Sequence, residues 1–138
     1  MSQLEQRPVI LIVEDQDYMR RTLVEYVQSA CPDIAVMEAA DGARALQLCR
    51  SDRPRLVLMD VALPDANGIE LTAQIREMLP ETEVLIVSQH TDAAYVERAQ
   101  AAGAFAYITK DNVYRELLPA INRALDRAPS DRGHGDAQ

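Results

Sequence analysis

Apolar residues fall into two alternating kinds of segment along this chain. Unbroken runs, VILIV at 9–13, LVLM at 56–59 and VLIV at 84–87, leave neither side of a strand polar. That is the signature of parallel strands covered on both faces. Between the runs, apolar residues return every three or four positions, as on a helix. The first such set is Met19, Leu23, Tyr26, Val27 and Ala30, with Asp17 placed to cap it and Cys31-Pro32-Asp33 to stop it. A shorter strand, Ile34 to Met37, leads through Asp41-Gly42 into a helix of about ten residues that Arg53-Pro54 ends. The third helix is expected from about Gly68 to Met78, with Leu71, Ile75 and Met78 or Leu79 inward and Pro80 beyond it.

Thr91 or Asp92 opens a fourth helix that is mostly alanine on its buried side and closes at Gly103, a left-handed cap. Such small side chains predict weak packing. A strand from Phe105 to Ile108 follows, and then a last helix with Leu117, Leu118, Ile121 and Leu125 inward. Pro119 either kinks that helix or marks the start of its regular part. Strand–helix alternation repeated in this way builds a doubly wound α/β fold, a parallel sheet with helices on both faces and right-handed crossovers.

Ligands of such sheets lie outside the carboxyl ends of the strands, where the strand order reverses. Glu14 and Asp15 follow the first strand, Asp60 the third, Ser88 the fourth and Lys110 the fifth. Taken singly, each has an ordinary reading. Asp60 would cap a turn, Ser88 would satisfy a backbone group, and Lys110 would be a solvated amine. Their common position at strand ends is what suggests a site. Three carboxylates in one crevice repel one another unless a proton or a cation intervenes. Oxygen ligands without His or Cys favour Mg²⁺ over zinc. A carboxylate beside Mg²⁺ and an ammonium is equipped for phosphoryl transfer, with Asp60 as nucleophile and Ser88 donating to the phosphoryl oxygens.

Composition narrows the field. The chain has 138 residues, 48% of them hydrophobic, enough for one domain with a full core. No apolar run is long enough to cross a bilayer, and the polar start MSQLEQRP lacks the apolar stretch of a signal peptide, so a cytoplasmic protein is expected. Cys31 and Cys49 have no metal or disulfide spacing and are expected to be free thiols, buried or half-buried. With 22 acidic against 14 basic residues the net charge is −8, which argues against direct binding of nucleic acid. His90 and His134 are expected to have no role, and residues 129–138 read as a flexible tail after a domain at 1–128.

The pieces VILIVEDQDYMRR, LVLMDVALPDANGIEL, VLIVS and GAFAYITKD resemble the receiver domain of two-component response regulators, over residues 8–128. The resemblance implies a flavodoxin-like, chemotaxis-regulator-like sheet of five strands in the order 2-1-3-4-5. It implies that Asp60 accepts phosphate from a histidine kinase or phosphotransfer protein. Glu14, Asp15, Asp60 and the backbone carbonyl of Ala62 would hold Mg²⁺. Lys110 would pair with the phosphoryl group, and Ser88 and Tyr107 would form the switch. From pattern alone, Tyr107 reads equally well as core.

Such a protein is a signalling switch, not an enzyme acting on other molecules. Its output would be a downstream protein partner or a homodimer, bound through the fourth and fifth helices and the strand between them. The GAFAYITKD end most resembles receivers that precede LuxR-type DNA-binding domains, so the chain could also be the receiver portion of a longer transcriptional regulator. Gln89 stands where receivers usually have a small residue, and Asp111 where many have Pro. The long Gln89 side chain is expected to shield the phosphoryl group, and Ala62 is too short to orient water, so self-hydrolysis should be slow.

Two other chemistries fit less well. A phosphatase of the haloacid dehalogenase kind wants a second Asp two residues after its nucleophile, where Ala62 stands. A flavin carrier wants small or hydroxylated residues after its first strand, where EDQD would repel phosphate.

Overall fold

The computed structural model describes residues 7–126. In chain order the elements are β1 Val9–Val13, α1 Asp17–Ala30, β2 Ala35–Ala39, α2 Gly42–Asp52 and β3 Leu56–Met59. They continue with α3 Gly68–Met78, β4 Glu83–Ser88, α4 Ala93–Ala101, β5 Ala106–Thr109 and α5 Val113–Asp126. All strand pairs are parallel, and the sheet order is β2-β1-β3-β4-β5. The expected tail at 129–138 and the boundary at 128 lie outside the described residues.

Alternation along each strand divides the core in two. Leu11, Val13, Val57, Met59, Val84 and Ile86 face α2, α3 and α4. Ile10, Ile12, Leu56, Leu58, Leu85 and Val87 face α1 and α5. The three central strands are therefore apolar at nearly every position, as their sequence runs require. Both cysteines are free, Cys49 buried and Cys31 half-buried. Among the described residues, no helix is long and apolar enough to cross a membrane.

Several element ends differ from the sequence expectation. Helix α1 begins at Asp17 itself, with Gln16 as its N-cap and no side-chain cap bond. Asp17 binds Arg20 instead, at 2.7 Å. Strand β2 runs to Ala39 because its register with β1 continues to Val13↔Ala39. Strand β5 likewise begins one residue late and ends at Thr109, paired with Ser88. Helix α5 begins at Val113, six residues before Pro119, and runs through it. Val113 and Leu117 are buried and hold that first part down. Pro119 lies on the exposed side, and so does Arg115, whose carbonyl loses its helical donor. Water can satisfy that carbonyl, which lowers the cost of the proline.

Helix ends elsewhere follow the sequence. Asp41 caps α2 by accepting from the Arg44 amide at 2.8 Å, and Arg53 closes the helix in the left-handed region at φ 47°. Gly103 follows α4 at φ 99°, the left-handed position that a glycine adopts without strain.

Candidate functional site

The carboxyl ends of β1 and β3 meet where the strand order reverses, and there the chain places its acids. The ladder continues one residue past each strand, with the Glu14 amide bonded to Ala39 O and the Asp60 amide to Val13 O, both at 3.0 Å. Glu14 and Asp60 are thus fixed by backbone pairing and buried at 1% and 6% exposure, while Asp15 faces solvent. One carboxylate oxygen from each of the three lies within 4.8 Å of the others. Lys110, just past β5, brings its Nζ to 2.8 Å from Glu14 Oε1 and 3.4 Å from Asp60 Oδ2. Ser88, fully buried at the end of β4, borders the same cavity of about 140 Å³ with Asp15, Ala62 and Lys110. The five side chains expected at strand ends do converge.

The charges are not balanced. Burial pushes the Glu14 carboxyl above its usual range and the Asp60 charge adds to this, although Lys110 and the Gln16 amide pull it back. Burial also works against the Lys110 ammonium, but Glu14 and Asp60 outweigh it and hold its pKa above the ordinary value. Glu14 Oε1 has that ammonium as ion-pair partner yet receives no hydrogen bond of good geometry, although it is fully buried. An under-satisfied buried carboxylate oxygen beside two further carboxylates is a donor set suited to a hard divalent cation. The residues present therefore fit Mg²⁺.

The β3–α3 loop is held at several points. The Gly68 amide donates to Val61 O at 2.7 Å, and a Cβ on Gly68 would lie 1.9 Å from Asp60 O. Only glycine permits the first turn of α3 to pack so close to the end of β3. Asn67 Oδ1 caps α3 by accepting from the amides of Ile69 and Glu70, at 2.8 and 3.3 Å. Asp65 accepts from the amides of Gly42 and Ala43, at 2.7 and 3.0 Å, which ties the loop to the start of α2 and holds its own pKa below the usual range. A bridge between Ala62 and Asn67 closes the loop on itself.

Three residues contribute beyond the expected set. Arg20 donates to Glu14 O at 2.9 Å while also binding Glu38 and Asp17, and so fixes the loop after β1. Its place one turn into α1, following three acids, was the available sequence signal. Asp65 reads in sequence as a turn residue, and nothing local shows that it reaches α2. His90, expected to have no role, joins two of the predicted switch residues through its backbone. Its amide donates to Ser88 Oγ at 3.1 Å, and its carbonyl accepts from the Tyr107 hydroxyl at 2.8 Å. Tyr107 itself is half-buried against the α2–α4 core. Gln89 is exposed and borders the cavity.

A buried strand-end carboxylate, an acid cluster and a strand-end lysine on a 2-1-3-4-5 sheet are the arrangement expected of a receiver. Comparison with known proteins agrees, for the response regulator receiver domain model matches residues 10–122. The chain belongs to that family. It is 35% identical over 116 residues to the transcriptional activator protein ExaE of Pseudomonas putida, covering 84% of this chain and 54% of that protein. It is 35% identical over 120 residues to the transcriptional regulatory protein PdtaR of Mycobacterium tuberculosis, covering 86% of this chain and 57% of that one. The chain thus spans about half the length of these curated relatives. Among solved structures, a LuxR-family two-component response regulator from Aurantimonas sp. SI85-9A1 superposes with a TM-score of 0.81 at 32% identity, over 92% of this chain and 94% of that one.

Proposed function

We propose that this chain is a phosphorylation-controlled cytoplasmic switch in which Asp60 takes a phosphoryl group from a histidine kinase or phosphotransfer protein. The observation that supports it most is the buried Asp60 carboxylate, with an ammonium 3.4 Å away and two further carboxylates beside it. In the transfer, an Asp60 Oδ–P bond forms as the P–N bond of the donor phosphohistidine breaks, and the imidazole leaves with the electron pair. Lys110 supplies positive charge to the phosphoryl oxygens, and the Ser88 hydroxyl turns to donate to one of them.

Glu14, Asp15, Asp60 and the Ala62 carbonyl would hold Mg²⁺. When bound, that ion neutralises the acids and the charge on the phosphoryl group. Tyr107 and the surface of α4, β5 and α5 then change their affinity for a protein partner or a second copy of the chain.

Intact-mass measurement after acetyl phosphate with Mg²⁺ tests the chemistry. The wild-type chain should gain one phosphate, and Asp60→Asn should gain none while remaining folded. Labelling of the Asn variant at the wild-type rate would refute Asp60 as acceptor. Mg²⁺ should also raise the melting temperature by binding only the folded form, and Asp15→Asn should remove most of that gain. An unchanged melting temperature at saturating Mg²⁺ would contradict the metal assignment.

A second reading has a specific observation behind it. The relatives named above as transcriptional regulators are nearly twice the length of the matched region. On that reading the chain is the receiver portion of a longer LuxR-type regulator, and residues outside this chain bind DNA. Gel-shift assays should then show DNA binding by the full gene product and none by these 138 residues, whose net charge is −8.

A further inference from the structure

We infer that Tyr95 on α4 is a positioning residue for the phosphoacceptor cavity, acting through the side chain of His90. The inference rests on the phosphoacceptor reading above, but the geometry behind it is present in the unphosphorylated chain. One wall of the cavity is the end of β4 and the segment after it, contributed by Ser88, Gln89 and His90. Backbone bonds fix this segment on two sides, from the His90 amide to Ser88 Oγ at 3.1 Å and from the Tyr107 hydroxyl to the His90 carbonyl at 2.8 Å. Its hold on the next helix is of a different kind. The His90 ring meets the Tyr95 ring edge to face, with centroids 4.5 Å apart and planes at 69°. The guanidinium of Arg98 covers Tyr95 in turn, 5.9 Å from its centroid.

Other connections across this junction are sparse. Gln89 is exposed, and Asp92 stands at the N-cap of α4 without a side-chain bond to the helix. Helix α4 in turn buries only Ala99 fully, so the half-buried Tyr95 is among its main anchors. The ring pair therefore joins a loosely anchored helix to the wall that carries Ser88. Ser88 Oγ accepts from His90 N–H, so moving it towards a phosphoryl oxygen disturbs the His90 backbone and with it the ring contact. The coupling is reciprocal: whatever moves Tyr95 also shifts the wall of the cavity. Tyr95 does not border the cavity, so its substitution removes none of the groups that line it.

The test is the lifetime of the phosphorylated chain. Wild type, Tyr95→Ala, Tyr95→Leu and Tyr95→Phe are loaded with acetyl phosphate and Mg²⁺, the donor is removed, and loss of the phosphate is followed by intact mass. Tyr95→Ala and Tyr95→Leu should still take the phosphate but lose it faster, by about two- to tenfold, the range an aromatic pair of ordinary strength corresponds to. Tyr95→Phe keeps the ring and should decay as wild type does. Tyr95→Leu preserves apolar bulk, which separates loss of the ring pair from general loosening of the core.

The amide resonance of His90 supplies a readout that needs no phosphate. It should shift in Tyr95→Ala and stay near its wild-type position in Tyr95→Phe. Wild-type decay and an unshifted His90 amide in Tyr95→Ala would overturn the inference, as would a Phe variant that behaves like the Ala variant. If the wild-type chain takes no phosphate at all, the phosphoacceptor reading fails. The His90 resonance still decides whether Tyr95 positions the wall.

Discussion

The helices that follow β3 and β4 are anchored in opposite ways. Helix α3 buries Gly68, Ile69, Leu71, Thr72 and Ile75, and its first amides are capped by Asn67. The loop before it is tied to α2 by Asp65, and its first glycine packs on the backbone of Asp60. Helix α4 buries only Ala99, and its N-cap, Asp92, makes no side-chain bond. Asp60 is thus carried on the rigid side, and Ser88 lies at the root of the loosely held side. Moving α4 breaks few contacts, whereas moving α3 would disturb the backbone of Asp60. A switch of this design can transmit a local charge change through the weaker element without disturbing its own chemistry.

The contrast can be broken most severely at Gly68. A methyl group there would lie 1.9 Å from Asp60 O, an overlap that exceeds the gain of about 1 kcal/mol from placing Ala in a helix. Gly68→Ala should destabilise the chain by at least about 3 kcal/mol in urea unfolding, or prevent folding. A near-neutral result would mean that α3 can retreat from β3 cheaply.

The two N-caps give a paired comparison of intermediate size. Asn67→Ala should cost about 1 kcal/mol, because two amides of α3 lose their acceptor. Asp92→Ala should fall within about 0.5 kcal/mol of wild type, since no cap bond is lost. Equal costs would remove the asymmetry on which this account of the switch relies.

The smallest effect concerns pH. Asp65 is held below its ordinary pKa of 3.8 by the amides of Gly42 and Ala43. For a carboxyl depressed on folding, the stabilisation is present above the unfolded-state value and is lost as pH falls through the folded one. Asp65→Ala should therefore be less stable than wild type at neutral pH. The gap should close as pH falls below about 3.8, the unfolded-state value. A gap that stays constant down to acid pH would show that the ionised carboxylate does not provide the tether.

Legibility in the sequence followed the strength of local signals. The bounds of α3 were readable because Asn67-Gly68 opens it and Pro80 lies just beyond it. The ends of β2 and β5 were not, because apolar Ile34 and Phe105 lie just before the strands, while Glu38, Ala39 and Thr109 carry little apolar signal and join through register with neighbouring strands. Pro119 left the start of α5 open in the sequence, and burial of Val113 and Leu117 carries the helix through it.

At the site, Glu14, Asp60, Ser88 and Lys110 were legible because each follows an apolar run that a buried strand requires. The roles of Asp65 and His90 were not, because Asp65 accepts from a backbone amide 23 residues away and the His90 carbonyl accepts from a side-chain hydroxyl 17 residues away. Side chains that bind distant backbone leave no periodic trace in a sequence.

Hydrogen exchange on the chain before and after loading with acetyl phosphate and Mg²⁺ tests the central claim most directly. The account predicts that exchange changes between Ser88 and Thr109, through α4 and β5, while α3 from Gly68 to Met78 stays as it was. Changes concentrated in α3 and its loop, with α4 unaffected, would contradict it.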